Sequence, residues 1–209
     1  NSMKEKLLVG IYCLCSLVIT FSVNSQDIKF EKVLLVPPAS QVVSGIDVVY
    51  SGASAFSDID NDNDQDVLVT GRNNFGQAIA KLYTNDGNGS FTEVMTPFEG
   101  AENSSVAFSD VNRDGYQDVF ITGRNNSGKL IAKLYSNNGK GVFTTVIGTP
   151  FEGVFRASIA FADIDGDDDQ DVLITGESSS GKIAKLYSNN GSGIFTEVTG
   201  LPFDGVGYS

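Results

Sequence analysis

One nine-residue pattern occurs three times along this chain, and its recurrence limits the folds available more than any other feature. The copies are Asp58-Ile-Asp-Asn-Asp-Asn-Asp-Gln-Asp66, Asp110-Val-Asn-Arg-Asp-Gly-Tyr-Gln-Asp118 and Asp163-Ile-Asp-Gly-Asp-Asp-Asp-Gln-Asp171. Their starts lie 52 and 53 residues apart, and the sequence between them keeps step. Self-similarity at such a period means one supersecondary unit stacked on copies of itself, because a single unit cannot bury its own apolar faces.

Within each repeat the order of signals is the same. Ala55-Phe56, Ala107-Phe108 and Ala160-Phe161 lead into the acidic loop. After it come aliphatic, β-branched runs closed by Gly71, Gly123 and Gly176, which read as buried strands. A polar turn follows, containing Arg72, Arg124 or Glu177. Next is Ile-Ala-Lys-Leu-Tyr, ending at Tyr83, Tyr135 and Tyr187, with the alternation of a half-buried strand. Asn-Gly turns around Gly87, Gly139 and Gly191 then predict hairpins into a fourth strand that opens with Phe91, Phe143 or Phe195. The unit closes on Pro97-Phe-Glu-Gly100, Pro150-Phe-Glu-Gly153 and Pro202-Phe-Asp-Gly205. Four short antiparallel strands per repeat predict an all-β fold, a β-propeller with about three blades present. Repeats are expected over about 50–99, 103–152 and 156–205. The repeated Tyr and Phe, Phe56, Phe108 and Phe161 among them, are expected to pack between blades.

The acidic loops carry the chemistry. Oxygen-bearing side chains fall at positions one, three, five and nine: Asp58, Asp60, Asp62, Asp66; Asp110, Asn112, Asp114, Asp118; and Asp163, Asp165, Asp167, Asp171. Carboxylates crowded this way repel unless a cation sits among them, and Ca²⁺ takes six to eight oxygens in a flexible shell. Mg²⁺ prefers to keep its water. Position seven (Asp64, Tyr116, Asp169) changes chemistry between copies, so its expected contribution is the backbone carbonyl. An EF-hand also begins with acids at one, three and five, but it ends in Glu at position twelve. Here position twelve is Val69, Ile121 or Ile174, inside a strand. Up to three Ca²⁺ are therefore expected, one per loop, in a structural role. Position six holds Asn63, Gly115 and Asp168, and Asp is the least suited of these to a left-handed turn.

This loop, set between a Phe-bearing strand and an aliphatic strand, resembles the FG-GAP/VCBS-type repeats found in the propellers of integrin α-subunits and of many secreted bacterial proteins. Tryptophan–aspartate and kelch repeats carry different signatures, and this chain has neither Trp nor His. The resemblance covers about residues 30–209. It implies calcium-binding blades and a role in extracellular binding or adhesion. The family usually closes with seven blades, so residues 28–37 are expected to be a closing strand and the chain a fragment.

Charge and termini narrow the function further. The net charge is −12, yet fourteen of the 26 acidic residues lie in the three loops. Nothing resembles the basic stripe of a nucleic-acid binder. Lys4 and Lys6 precede an apolar run, Leu7 to Phe21, that reads as a signal peptide cleaved after Ser25, giving a secreted protein without stable membrane insertion. Cys13 and Cys15 both fall in that leader. The mature chain then has neither Cys nor His, which excludes the usual nucleophile–base pairs and predicts no enzyme. The calcium loops and Asn-Gly hairpins should share one end of the blades. The Arg72 and Arg124 turns should lie at the other, where an extracellular protein or glycan would bind. The alternative is an accessory domain of a secreted polysaccharide lyase or hydrolase with its active site elsewhere.

Overall fold

The computed structural model describes residues 21–24, 27–30 and 46–205. The apolar run up to residue 20, and residues 31–37 of the expected closing strand, lie outside them. Strands β1 (Phe21–Asn24) and β2 (Asp27–Phe30) pair as a small antiparallel hairpin. The remaining strands belong to a separate compact unit.

That unit contains three four-stranded antiparallel sheets, and no helix occurs among the described residues. The first sheet, blade 1, is β3 (Val49–Ser57), β4 (Asp66–Asn73), β5 (Ala78–Asn85) and β6 (Phe91–Val94). Blade 2 is β7 (Glu102–Ser109), β8 (Asp118–Arg124), β9 (Leu130–Asn137) and β10 (Phe143–Thr145). Blade 3 is β11 (Phe155–Ala162), β12 (Asp171–Ser178), β13 (Gly181–Asn189) and β14 (Phe195–Val198). Each is a meander whose strand order follows the sequence. The first strands stand side by side, β3 against β7 and β7 against β11. This is the arrangement of consecutive propeller blades.

Alternation along the second strand explains the stacking. In β8, Val119 and Ile121 face blade 1, where they meet Leu68 and Leu82, while Phe120 faces blade 3 and packs with Val172 and Ile174. A strand covered on both faces must read as a continuous apolar run. Tyr135 and Tyr187 are fully buried between blades, as expected, whereas Tyr83, equally buried, lies on the face of blade 1 turned away from blade 2, under Ile46, Val49 and Phe91. The closing Pro-Phe-Glu-Gly segment clasps the next blade. Phe98 lies edge-on to Tyr135 (4.8 Å) and Phe143 (5.0 Å), and Phe151 meets Phe120, Tyr187 and Phe195 at 4.7–5.1 Å. The Glu99 amide donates to the Tyr135 hydroxyl (3.0 Å), and the Glu99 carboxylate pairs with Lys133 (2.5 Å). Glu152 and Lys185 repeat the ion pair at 3.2 Å.

Two details were not anticipated. Ile46-Asp47 takes the place of such a closing segment in front of blade 1. The Asp47 amide donates to the Tyr83 hydroxyl at 3.2 Å, and its carboxylate pairs with Lys81 at 2.6 Å. Nothing in the local sequence marks this role, because Ser44-Gly45-Ile46-Asp47 lacks the Pro-Phe of the other copies. Phe56 departs from the packing expected of its place. Phe108 and Phe161 pack into the inter-blade clusters, but Phe56 is 61% exposed, because it lies on the face of blade 1 turned away from blade 2.

Candidate metal centres

Each acidic loop joins the first two strands of a blade, and the last carboxylate fixes its shape. Asp66, Asp118 and Asp171 open β4, β8 and β12 and are almost completely buried. Their two oxygens accept backbone hydrogen bonds from two directions. Asp66 takes the Ile59 amide (3.0 Å) and the Asn85 amide (2.8 Å). Asp118 takes Val111 (3.3 Å) and Asn137 (2.8 Å), and Asp171 takes Ile164 (3.0 Å) and Asn189 (2.8 Å). One carboxylate thus ties loop, second strand and hairpin together. Burial raises the Asp118 carboxyl to about 6 even against those hydrogen bonds.

The first carboxylate holds the loop's interior. Asp58 accepts from the amides of Asn61 (2.7 Å), Asp62 (3.2 Å) and Asn63 (3.0 Å). Asp110 accepts from Asp114 and Gly115, and Asp163 from Gly166, Asp167 and Asp168, in the same pattern. Asp62, Asp114 and Asp167 each accept from the amide two residues on, all at 2.9 Å. Left-handed backbone is needed at two positions. Position six has φ of 71° at Asn63, 85° at Gly115 and 66° at Asp168, so the third loop keeps the shape of the others despite its Asp. Position four is left-handed too, at Asn61, Arg113 and Gly166, which the sequence reading did not single out.

Position seven turns its side chain away from the loop interior. Asp64, Tyr116 and Asp169 lie over Gly87, Gly139 and Gly191 of the same blade's hairpin, where any Cβ would collide with them. Those glycines therefore serve both a positive φ and a close approach.

The loops are closed from the side by the next blade. The Asn137 amide group donates to the Ile59 carbonyl (2.8 Å), and Gly141 donates to the same oxygen (3.1 Å). Asn189 repeats this on the Val111 carbonyl at 2.7 Å. Ile59 and Val111 are buried as a result, whereas the equivalent Ile164 of blade 3 is 49% exposed.

The donor set suits a hard divalent cation. Carboxylate oxygens of Asp58, Asp60 and Asp66 lie within 4.8 Å of one another, as do those of Asp163, Asp165 and Asp171. Burial, then the neighbouring Asp62 and Asp58, raise the Asp60 carboxyl above its ordinary value, and its buried Oδ1 has no hydrogen-bond partner. Burial, then Asp167 and Asp171, act on Asp165 likewise. An orphaned oxygen amid repelling carboxylates is the electrostatic setting a cation relieves. In the second loop Asn112 supplies a neutral oxygen where the others have Asp, so that loop carries less negative charge.

A family model for the FG-GAP-like repeat matches residues 58–121 and 110–174, two overlapping windows that each run from one acidic loop through the next. The chain belongs to the FG-GAP-like repeat family. The match spans more than half of the sequence and centres on the loops described above. No curated protein matches the chain.

The opposite end of these FG-GAP blades is not an open ring of arginines. Arg72 pairs with Glu102 of blade 2 (3.0 Å), and Arg124 lies over the Phe155 ring of blade 3 (4.4 Å). Asn126 forms a reciprocal pair with the backbone of Ala78, donating to its carbonyl at 2.8 Å and accepting from its amide at 2.7 Å. These groups hold blades together.

Proposed function

We propose that this chain is a secreted, Ca²⁺-stabilised propeller module that binds an extracellular protein or glycan and catalyses no reaction. The observation carrying the metal reading is the convergence of the first, third and ninth side chains in the first and third loops, with one buried oxygen left unpartnered. Asp58, Asp60, Asp62 and Asp66 would hold one ion, with Asp163, Asp165, Asp167 and Asp171 holding another. Asp110, Asn112, Asp114 and Asp118 would form a site with one carboxylate fewer. The carbonyls of Asp64, Tyr116 and Asp169 would complete the shells, consistent with side chains turned onto the hairpin glycines. When bound, the ion would neutralise the loop and brace the joint between first and second strands.

Non-catalytic binding is supported by chemistry rather than by a located ligand. The described residues include neither His nor Cys, and the clustered carboxylates are those assigned to metal. The test is a thermal melt with Ca²⁺, with Mg²⁺ and with EDTA, alongside a count of bound metal. Ca²⁺ at a hundred times its dissociation constant should add about 2.7 kcal/mol per site. A melt that ignores EDTA, with no bound metal, would overturn the metal reading. Binding to a glycan and matrix-protein panel, lost on chelation, would support the recognition role.

A further inference from the structure

Arg113 belongs to the second acidic loop but makes its contacts on the third. It occupies position four, between Asn112 and Asp114, with a left-handed φ of 60°. Its Nε donates to the Asp168 carbonyl (3.3 Å), its Nη2 donates to the Asp167 carbonyl, and its Nε lies 2.5 Å from Asp169 Oδ1. One guanidinium thus spans positions five, six and seven of the neighbouring loop. Asp169 is buried, while Arg113 remains about half exposed.

The three loops are unequal in a way that makes this contact meaningful. The third holds six acidic residues, the second three, and the only basic residue within any of the loops is Arg113. At position four of the first loop Asn61 reaches blade 2 instead, donating to the Gly139 carbonyl at 3.3 Å. Position four therefore reaches toward the next blade in two successive copies, and only in the second copy does it end on another acidic loop.

Resting on the metal reading above, we propose that Arg113 is a positioning residue that couples cation binding in the second loop to cation binding in the third. Asn112 and Asp114 flank Arg113 in sequence, so a cation drawing their side chains together fixes the backbone from which the guanidinium projects. The guanidinium in turn holds the carbonyls of Asp167 and Asp168, and with them the turn that presents the Asp167 carboxylate. A loop already held in its binding shape loses less freedom on taking up a cation. Its positive charge also offsets part of the third loop's acidic excess. Because coupling between sites is reciprocal, occupancy of either loop raises the affinity of the other by the same factor.

Backbone amide resonances of Gly115 and Gly166 would report the second and third loops separately while the intact chain is titrated with Ca²⁺. Asp114→Asn, which weakens the second loop, should move the Gly166 midpoint to about fivefold higher Ca²⁺, the lower end for coupled sites. In an Arg113→Ala background Asp114→Asn should not move it further. Arg113→Lys keeps the charge but not the fork, so it should behave as Arg113→Ala. A Gly166 midpoint indifferent to Asp114→Asn, or shifted equally with and without Arg113, would overturn the coupling and leave the metal reading standing. Absence of any Ca²⁺-dependent shift in the unsubstituted chain would overturn both.

Discussion

Phe98, Phe151 and Phe203 occupy the same place in three repeats, and among the described residues only the first two have a following blade to pack against. Phe98 meets two aromatic rings of blade 2, and Phe151 meets one ring of blade 2 and two of blade 3. Phe203 is 48% exposed. Truncating a buried Phe to Ala costs about 3–5 kcal/mol, and edge-packed rings add about 0.5–1.5 kcal/mol per pair beyond area. Phe98 and Phe151 are only partly buried, so about 3 kcal/mol is expected for Phe98→Ala and for Phe151→Ala. Phe203→Ala leaves no cavity between blades and should cost about 1 kcal/mol or less. With a urea m-value of about 2 kcal/mol per molar, the first two should lower the midpoint by roughly 1.5 M and the third by under about 0.5 M. Urea unfolding followed by tyrosine fluorescence, under fixed Ca²⁺, measures all three. If Phe203→Ala proves as costly as Phe151→Ala, the clasp is not what stabilises the stack, and the reasoning from ring contacts fails.

Other perturbations test separate links. Gly76 and Gly139 have nearly the same φ, 76° and 75°, but a Cβ at Gly139 would strike the Tyr116 ring and one at Gly76 would meet nothing. Both Ala variants should lose about 1 kcal/mol to the left-handed backbone, and Gly139→Ala roughly 1–2 kcal/mol more, measured by chemical denaturation. In acid the clasps should weaken. Burial pushes the Glu99 carboxyl up, but hydrogen bonds from Lys133 and Asn125 outweigh it and hold it below its ordinary value. The unfolded chain then binds the proton more readily, so this stability is present above the unfolded value of 4.5 and lost as pH falls through the folded one. Glu99→Gln should flatten that part of the stability–pH curve, read from melts between about pH 3 and 6.

The blades were legible in the sequence because each strand announces itself by an independent signal. Runs such as Val67-Leu68-Val69 predict burial on both faces, and Asn-Gly at residues 138–139 and 190–191 predicts the hairpins. Part of the loop chemistry was legible for the same reason, since the spacing of Asp58, Asp60 and Asp66, and of Asp163, Asp165 and Asp171, brings their carboxylates together. Contacts that depend on register between blades were not. Nothing local marks Asn137 as the donor to Ile59, Arg113 as a partner of the third loop, or Arg72 as a partner of Glu102. Nor does Asp47 resemble Glu99 until both are seen with a Lys and a Tyr of the following blade. Phe56 shows the converse. Its repeat position predicts packing, but packing requires a neighbour on that face, which periodicity cannot supply.

Those inter-blade contacts bear on what a cation in the loops would accomplish. The Ile59 carbonyl, at position two of the first loop, receives two hydrogen bonds from blade 2, and Val111 at the same position of the second receives one from blade 3. The ninth carboxylate of each loop meanwhile holds the hairpin of its own blade, the element through which that blade reaches the preceding loop. Asn137 does both at once, its backbone amide bound to Asp118 and its side chain to Ile59. A cation that fixes Asp118 therefore also fixes the donor that closes the first loop. Metal binding in these loops would share its hydrogen bonds with blade stacking, so removing a bound metal should loosen the joints between blades before it unravels the blades themselves. Hydrogen exchange on chelation would show the order. The Asn137 and Gly141 amides should lose protection ahead of Val119 and Ile121 in the centre of β8, and simultaneous loss would mean that the metal loops and blade cores unfold as one unit.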